Sequence, residues 1–258
     1  MLRDLRWYPA VWVTVLVASF VAVACETVPI TGRSQLLLLS EGDEVRMGVQ
    51  AYQDIVGKSK VSTDPAINAM VTRVGSRIAA VTGHSHAWEY KVIEDGQANA
   101  FALPGGKIAV YTGILPITRD EAGLAAVLGH EVAHVIARHS GERVSQQLAA
   151  QGLASLVVGG VLGTDPQTTQ IVSGLFAQGL LLPWGRAQES EADHLGLIYM
   201  AKAGYDPRAA RDLWVRMGEA SKSQPRPPEF LSTHPSTDTR IKQIDAWLPE
   251  AMQHYRPR

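Results

Sequence analysis

Apolar residues recur at helical spacing from Ser40 to Ile55 and again from Pro65 to Val81, where Ile67, Met70, Val71, Val74 and Ile78 fall on one face. Ser40 followed by Glu41, Asp43 and Glu44 is a helix-start signal. The pattern then shortens. Trp88 to Ile93, Asn99 to Leu103 and Lys107 to Tyr111 read as strands, the last two joined by Pro104-Gly105-Gly106, a strong turn signal. Together they predict a small antiparallel sheet. Leu124 to Ser140 is mostly apolar and free of proline, so it reads as one buried helix. Gln188 to Tyr199 predicts another. Two glycine-rich apolar runs, Leu148–Leu162 and Ile171–Leu182, flank Gly163 to Pro166. Each is shorter than the roughly 20 residues a bilayer crossing needs, so they read as core helices joined by a turn rather than as a membrane hairpin.

Within the buried helix, His130 and His134 stand four residues apart with Glu131 between them. On a helix both imidazoles share one face and can converge on a metal ion, with Glu131 placed to reach a water on it. This is the H-E-x-x-H pattern of zinc peptidases. Two buried histidines and a buried glutamate without a metal would also be costly to a core. A catalytic zinc usually takes a third protein ligand. The downstream stretch that fits is Glu189 with Asp193 one turn on: Glu189 as ligand, Asp193 as acceptor from the free ring nitrogen of a ligand histidine. Helical geometry turns Glu191 about 160° away from that face, as a solvated charge. His139 lies five positions past His134, off the metal face, and reads as structural. His194 is offset from Glu189, and His84 with His86 reads as a solvated pair.

Composition narrows the partners. The 258 residues suffice for one sizeable domain or two small ones, and a net charge of −1 without a dense basic run gives nucleic-acid binding no support. Cys25 is the one cysteine, so no intrachain disulfide forms. It follows Arg3, Arg6, the apolar run Ala10–Ala24 and the small-residue site Ala22-Val23-Ala24, which marks a secretory signal. The segment resembles a bacterial lipoprotein signal peptide. That implies cleavage after residue 24 and acylation of Cys25, with several acyl chains giving stable anchoring; an uncleaved signal anchor is the other reading. Glu26, where an Asp would resemble an inner-membrane retention signal, points to the outer membrane facing the periplasm.

His130-Glu131-Val132-Ala133-His134 with Glu189-Ser190-Glu191-Ala192-Asp193 resembles the HExxH/ExxxD pair of the metallopeptidase family that contains the CAAX prenyl endopeptidase, the mitochondrial overlapping-activity peptidase and the bacterial beta-barrel assembly-enhancing protease. Cys25 with residues 29–36, Asn99 to Gly106, and Thr233-His234-Pro235 with Asp238-Thr239-Arg240 extend the resemblance over nearly all of the mature chain. It implies an α+β, mainly helical, zincin-like (gluzincin) domain at 40–250, after a signal peptide at 1–24 and a lipidated tether at 25–39, with a tail at 251–258. It implies one zinc per chain on His130, His134 and Glu189, Glu131 as general base and Asp193 in support. His234 is a possible fourth, inhibitory ligand under the proline-bearing loop Ser221–Ser232. Asn99, Ala100 and Phe101 form the candidate edge that pairs with substrate backbone, an ordinary hairpin being the alternative. For Arg240 two readings stand, holding a substrate carbonyl or bracing an acidic residue. The expected activity is zinc endopeptidase action on misfolded or stalled envelope polypeptides; the rival is a chaperone-like lipoprotein that binds outer-membrane clients. Oligomerisation stays open. No helical repeat array follows Trp247, so docking through such repeats is not expected.

Overall fold

The computed structural model describes residues 25–151, 166–181, 185–223, 228–234 and 238–257. The expected signal peptide at 1–24 lies outside them, as do most of the first apolar run (152–162) and part of the proline-bearing loop (224–227). The chain opens with β1 (Cys25–Thr27) and β2 (Ser34–Leu36), paired antiparallel. Residues 25–39 are therefore a packed hairpin rather than a loose tether, with Val28, Leu37 and Leu39 buried. Next comes α1 (Glu41–Gly57), whose first turn is capped by the Ser40 side chain accepting from the Asp43 amide. In α2 (Pro65–Ala79), Asp64 is the N-cap and Pro65 fits the first turn, where its missing N–H costs nothing.

The sheet holds β3 (Glu89–Ile93), β4 (Ala100–Leu103) and β5 (Lys107–Tyr111) in the order β3-β5-β4. It is mixed: β4 pairs antiparallel with β5 through the turn where Gly105 and Gly106 take φ of 81° and 77°, while β3 runs parallel to β5. The expected antiparallel order thus holds for one ladder of two, because the segment between β3 and β4 carries the chain past the far side of β5. This leaves β4 as an edge strand.

A short turn of helix, α3 (Leu115–Thr118), leads into α4 (Glu121–Ile136), whose N-cap Asp120 accepts from Gly123 N–H at 2.8 Å. Every residue of α4 from Gly123 to Ile136 is buried. The helix expected to run on to Ser140 stops here. Arg138 takes a left-handed φ of 52°, and α5 (His139–Ala150) starts in a new direction. The break is held by Arg138 itself, whose guanidinium binds Glu26 at 2.7 Å, Glu44 at 2.7 Å and the Leu39 carbonyl at 3.1 Å.

There follow α6 (Pro166–Leu181), α7 (Arg186–Lys202), α8 (Arg208–Ser223), α9 (Phe230–Thr233) and α10 (Asp238–His254). Within α6, Val172 and Phe176 are buried beside Leu148, Tyr52 and Leu103, as core packing requires. No described helix is long and apolar enough to cross a membrane. Helix α10 continues past the expected boundary at 250 and buries Ala251.

The contact that sets up the site is between α4 and α7. Gly129 and Gly196 face each other there, and a Cβ on Gly196 would lie 2.9 Å from the His130 backbone nitrogen. Only with both side chains absent do the backbones come this close, one residue from the first histidine.

Candidate metal centre

The approach of α7 to α4 brings Glu189 up to both histidines. His130 Nε2 and His134 Nε2 lie 3.1 Å apart, and Glu189 is 3.3 Å from His134 Nε2 and 3.7 Å from His130 Nε2. A third imidazole enters from the turn after α9: His234 Nδ1 is 3.0 Å from His130 Nε2 and 2.8 Å from Glu189 Oε1. One donor atom from each of these four residues falls within a 4.8 Å group, and all four residues are buried. Donors about 2.0–2.2 Å from a common tetrahedral ion stand roughly 3.3 Å from one another, so the set is dimensioned for a first-row divalent cation.

The surroundings fit such an ion. Three carboxylates converge here, those of Glu131, Glu189 and Asp193, and all are buried. Arg240 contacts two of them, at 2.7 Å from Glu189 and 2.6 Å from Asp193. Oε1 of Glu131 is buried with no hydrogen-bond partner among the described residues, and it sits 3.4 Å from His234 Nε2. A buried carboxylate oxygen that makes no hydrogen bond, beside the His234 ring, is where a metal-associated water would find its acceptor.

Protonation follows the same electrostatics. Burial opposes charge on His130, but the Glu189 carboxylate and the Asp193 hydrogen bond outweigh it and raise the imidazole to about 9. A cation entering the cluster displaces that proton. Burial holds His134 well below its ordinary value and His234 down to about 4, so both offer lone pairs. Burial disfavours the Glu189 charge too, yet His234, Arg240 and His130 more than reverse this and keep it ionised. Burial lifts Glu131 to about 8.

Each of the paired histidines has an outer partner. Asp193 Oδ1 accepts from His130 Nδ1 at 2.9 Å, as the i+4 spacing on α7 predicts. His134 Nδ1 instead faces His139 Nδ1 at 2.9 Å, and His139 Nε2 donates to Glu191 at 3.0 Å. Two sequence expectations are corrected here. His139 is at the site because the chain breaks at Arg138 and turns it back onto His134, which an unbroken helix would not do. Glu191 is buried, not solvated, because α7 is enclosed on the side facing α5 and the N-terminal hairpin as well as on the metal side. Of the two readings of Arg240, the contacts match bracing an acidic residue: its guanidinium pairs with Glu189 and Asp193 and lies 3.4 Å over the Trp214 ring. His194 pairs with Glu250 at 2.7 Å away from the cluster, while His84 and His86 stack on each other.

The candidate substrate strand lies against the centre. Strand β4 packs directly against α4, so its open edge lies beside the HExxH helix. The Asn99 side chain accepts from the Ala100 amide at 2.9 Å, and Phe101 points to the opposite face, edge-on to Tyr111. The Ala98 carbonyl, at the start of this edge, already accepts from Phe230 N–H at 2.9 Å.

Paired histidines on one buried helix, a carboxylate donor from a second, an adjacent carboxylate for proton transfer and an edge strand alongside define a metallopeptidase. A family profile, Peptidase family M48, matches residues 64–248. The chain belongs to that family. It is 42% identical over 230 residues to the mitochondrial metalloendopeptidase OMA1 of Schizosaccharomyces pombe, a match covering 88% of this chain and 67% of that protein. Metalloendopeptidase OMA1, mitochondrial, of Homo sapiens is 30% identical over 88% of this chain and 47% of its own length. The beta-barrel assembly-enhancing protease of Escherichia coli is 28% identical over 87% of this chain and 48% of its own.

Proposed function

We propose that the chain is a membrane-anchored zinc metalloendopeptidase of the bacterial outer membrane, facing the periplasm, which hydrolyses misfolded or stalled envelope polypeptides and is kept latent by His234. The observation that carries the catalytic part is Glu131, whose buried Oε1 makes no hydrogen bond and lies 3.4 Å from His234 Nε2 beside the donor set. Zinc held by His130, His134 and Glu189 would supply Lewis-acid polarisation of a peptide carbonyl and of water. Glu131 takes the proton from that water and returns it to the departing amine. Asp193 and Arg240 keep His130 and Glu189 aligned. The β4 edge, with the Ala100 and Ala102 carbonyls directed away from β5, offers an extended peptide a strand to pair with.

Latency rests on burial and on ligand count. His130, Glu131 and His134 are each no more than 3% exposed. His234 adds a fourth protein donor, and Phe230, fully buried and stacked on His234 with centroids 4.4 Å apart, fills the space above the cluster. A peptide carbonyl reaches the centre only after the segment 228–234 swings out. The same movement frees the Ala98 carbonyl on the substrate edge. The anchor is supported by the basic-apolar-small pattern that ends at Cys25. With β1 beginning at that residue, an acyl chain there would join the folded domain with little slack.

The test uses the purified full chain and an unfolded protein substrate. Wild type is expected to hold one zinc and to cut; Glu131→Gln keeps the zinc and loses about 100-fold or more in turnover. His234→Ala cuts faster than wild type. If neither wild type nor His234→Ala outpaces Glu131→Gln, the peptidase reading falls and a client-binding lipoprotein takes its place.

A further inference from the structure

We propose that Arg33, Glu191 and His139 form a positioning relay that fixes the metal ligand His134 and makes the N-terminal hairpin part of the metal centre. The inference rests on the metal-centre reading above and concerns residues that neither the HExxH nor the ExxxD pattern includes. Arg33 also lies outside the 64–248 range of the family profile.

The argument begins with proton positions. A carboxylate only accepts, so His139 Nε2 carries the hydrogen in its 3.0 Å bond to Glu191. In a neutral imidazole the other nitrogen is then bare. His139 Nδ1 therefore accepts, and His134 Nδ1 donates to it across 2.9 Å. That leaves the His134 Nε2 lone pair directed at the donor cluster, 3.3 Å from Glu189. His130 receives the same tautomer from Asp193 directly. The two ligand histidines are thus both oriented by carboxylates of α7, one immediate and one through an intervening ring.

Glu191 needs its own support, being buried. Its two oxygens take hydrogen bonds from three side chains, Thr31 on one and Arg33 and His139 on the other. Arg33 Nε donates to Glu191 at 2.8 Å, while its two terminal nitrogens clamp Glu142 at 2.6 and 2.8 Å. Thr31, on the same hairpin, donates to the other Glu191 oxygen. Gln188, the neighbour of Glu189, donates to Glu142 at 2.8 Å. One guanidinium from the hairpin therefore holds two buried carboxylates, on α5 and on α7, in the positions that His139 needs. Without it, two negative charges face each other at low dielectric and Glu191 retreats from His139.

The test compares full-length wild type with Arg33→Gln, Arg33→Lys, Glu191→Gln and His139→Phe. Zinc affinity is read by competition with a chromogenic chelator, and ligand geometry by the visible absorption of the cobalt(II)-loaded chain. His139→Phe and Glu191→Gln should each weaken zinc binding by about 10–100-fold and alter the cobalt spectrum. Arg33→Gln, at a side chain 28% exposed and so the mildest change to the fold, should do the same to a lesser degree. Arg33→Lys should recover part of the loss, because it keeps the charge but not the forked geometry. Arg73→Gln, which breaks an exposed pair with Glu121, should change neither readout. Folded variants with wild-type zinc affinity and cobalt spectrum overturn the relay, even if they melt earlier. A wild-type chain that takes up neither metal overturns the metal-centre reading and the relay with it.

Discussion

Gly196→Ala tests whether the backbone contact between α4 and α7 builds the centre. The added Cβ would meet His130 N at 2.9 Å, Gly129 C at 3.0 Å and Gly129 O at 3.2 Å, where ordinary contact begins at 3.4 Å. All three are backbone atoms, so no side chain can rotate aside. The helices must part by about 0.5 Å at this point. Overpacking of this kind costs about 1–3 kcal/mol, more than the roughly 0.5–1 kcal/mol that alanine gains over glycine within a helix. The same displacement would stretch the 2.9 Å bond from His130 to Asp193 toward the limit of a hydrogen bond, and Glu189 rides on the same helix. Zinc affinity should fall by about 10–100-fold, the usual cost of losing an outer partner. Chemical denaturation and chelator competition read the two effects. The control is Gly218→Ala on α8, where the new Cβ would have nothing within 4 Å, and stability should rise slightly with metal affinity unchanged. If Gly196→Ala matches that control in both measurements, the close approach is not what places α7.

Asp193→Asn should leave the chain folded but lower zinc affinity by about 10–100-fold, since the amide weakens both the bond to His130 and the pair with Arg240; an unchanged chelator titration would contradict this. Glu44 should make stability fall with rising pH. Burial lifts its carboxyl from 4.5 to about 7 against the pull of Arg138, so between those values the folded chain binds more protons than the unfolded one. Ionising it costs roughly 3 kcal/mol, and Glu44→Gln should shrink the wild-type decline between pH 5 and pH 8 by about that amount; parallel curves for the two chains would refute the assignment.

Local signals mark α1, α2, the three strands of the mixed sheet and the HExxH motif, but not the pairing of β1 with β2. Ser40 and the Pro104-Gly105-Gly106 turn act on their immediate neighbours, so their effects are written where they occur. The i, i+4 pairs His130/His134 and Glu189/Asp193 state their shared faces directly. What could not be read depends on contacts between distant residues. The direction of β3 relative to β5 is set by the route of the connection, which periodicity does not encode. The break at Arg138 depends on Glu26 and Glu44, about 100 residues earlier in the chain, holding its guanidinium. A continuous helix would carry His139 to the side away from His134.

The burial of Glu191 has a different cause. A solvated Glu191 requires α7 to have an outer, hydrated face. Its buried residues instead run from Gln188 and Glu189 through Glu191, Ala192 and Asp193 to Leu195 and beyond, so both sides of its first turns are enclosed. A buried helix carrying three carboxylates at positions 189, 191 and 193 is costly unless each finds its own compensation. The compensations differ. Asp193 has His130 and Arg240, Glu191 has His139, Arg33 and Thr31, and Glu189 shares Arg240 with Asp193 while facing three imidazoles that want a metal. The acidic character of this helix therefore does more than supply one ligand. It obliges α10, the N-terminal hairpin and the ion to assemble on the same scaffold, and it makes the order of the metal centre depend on segments at both ends of the chain.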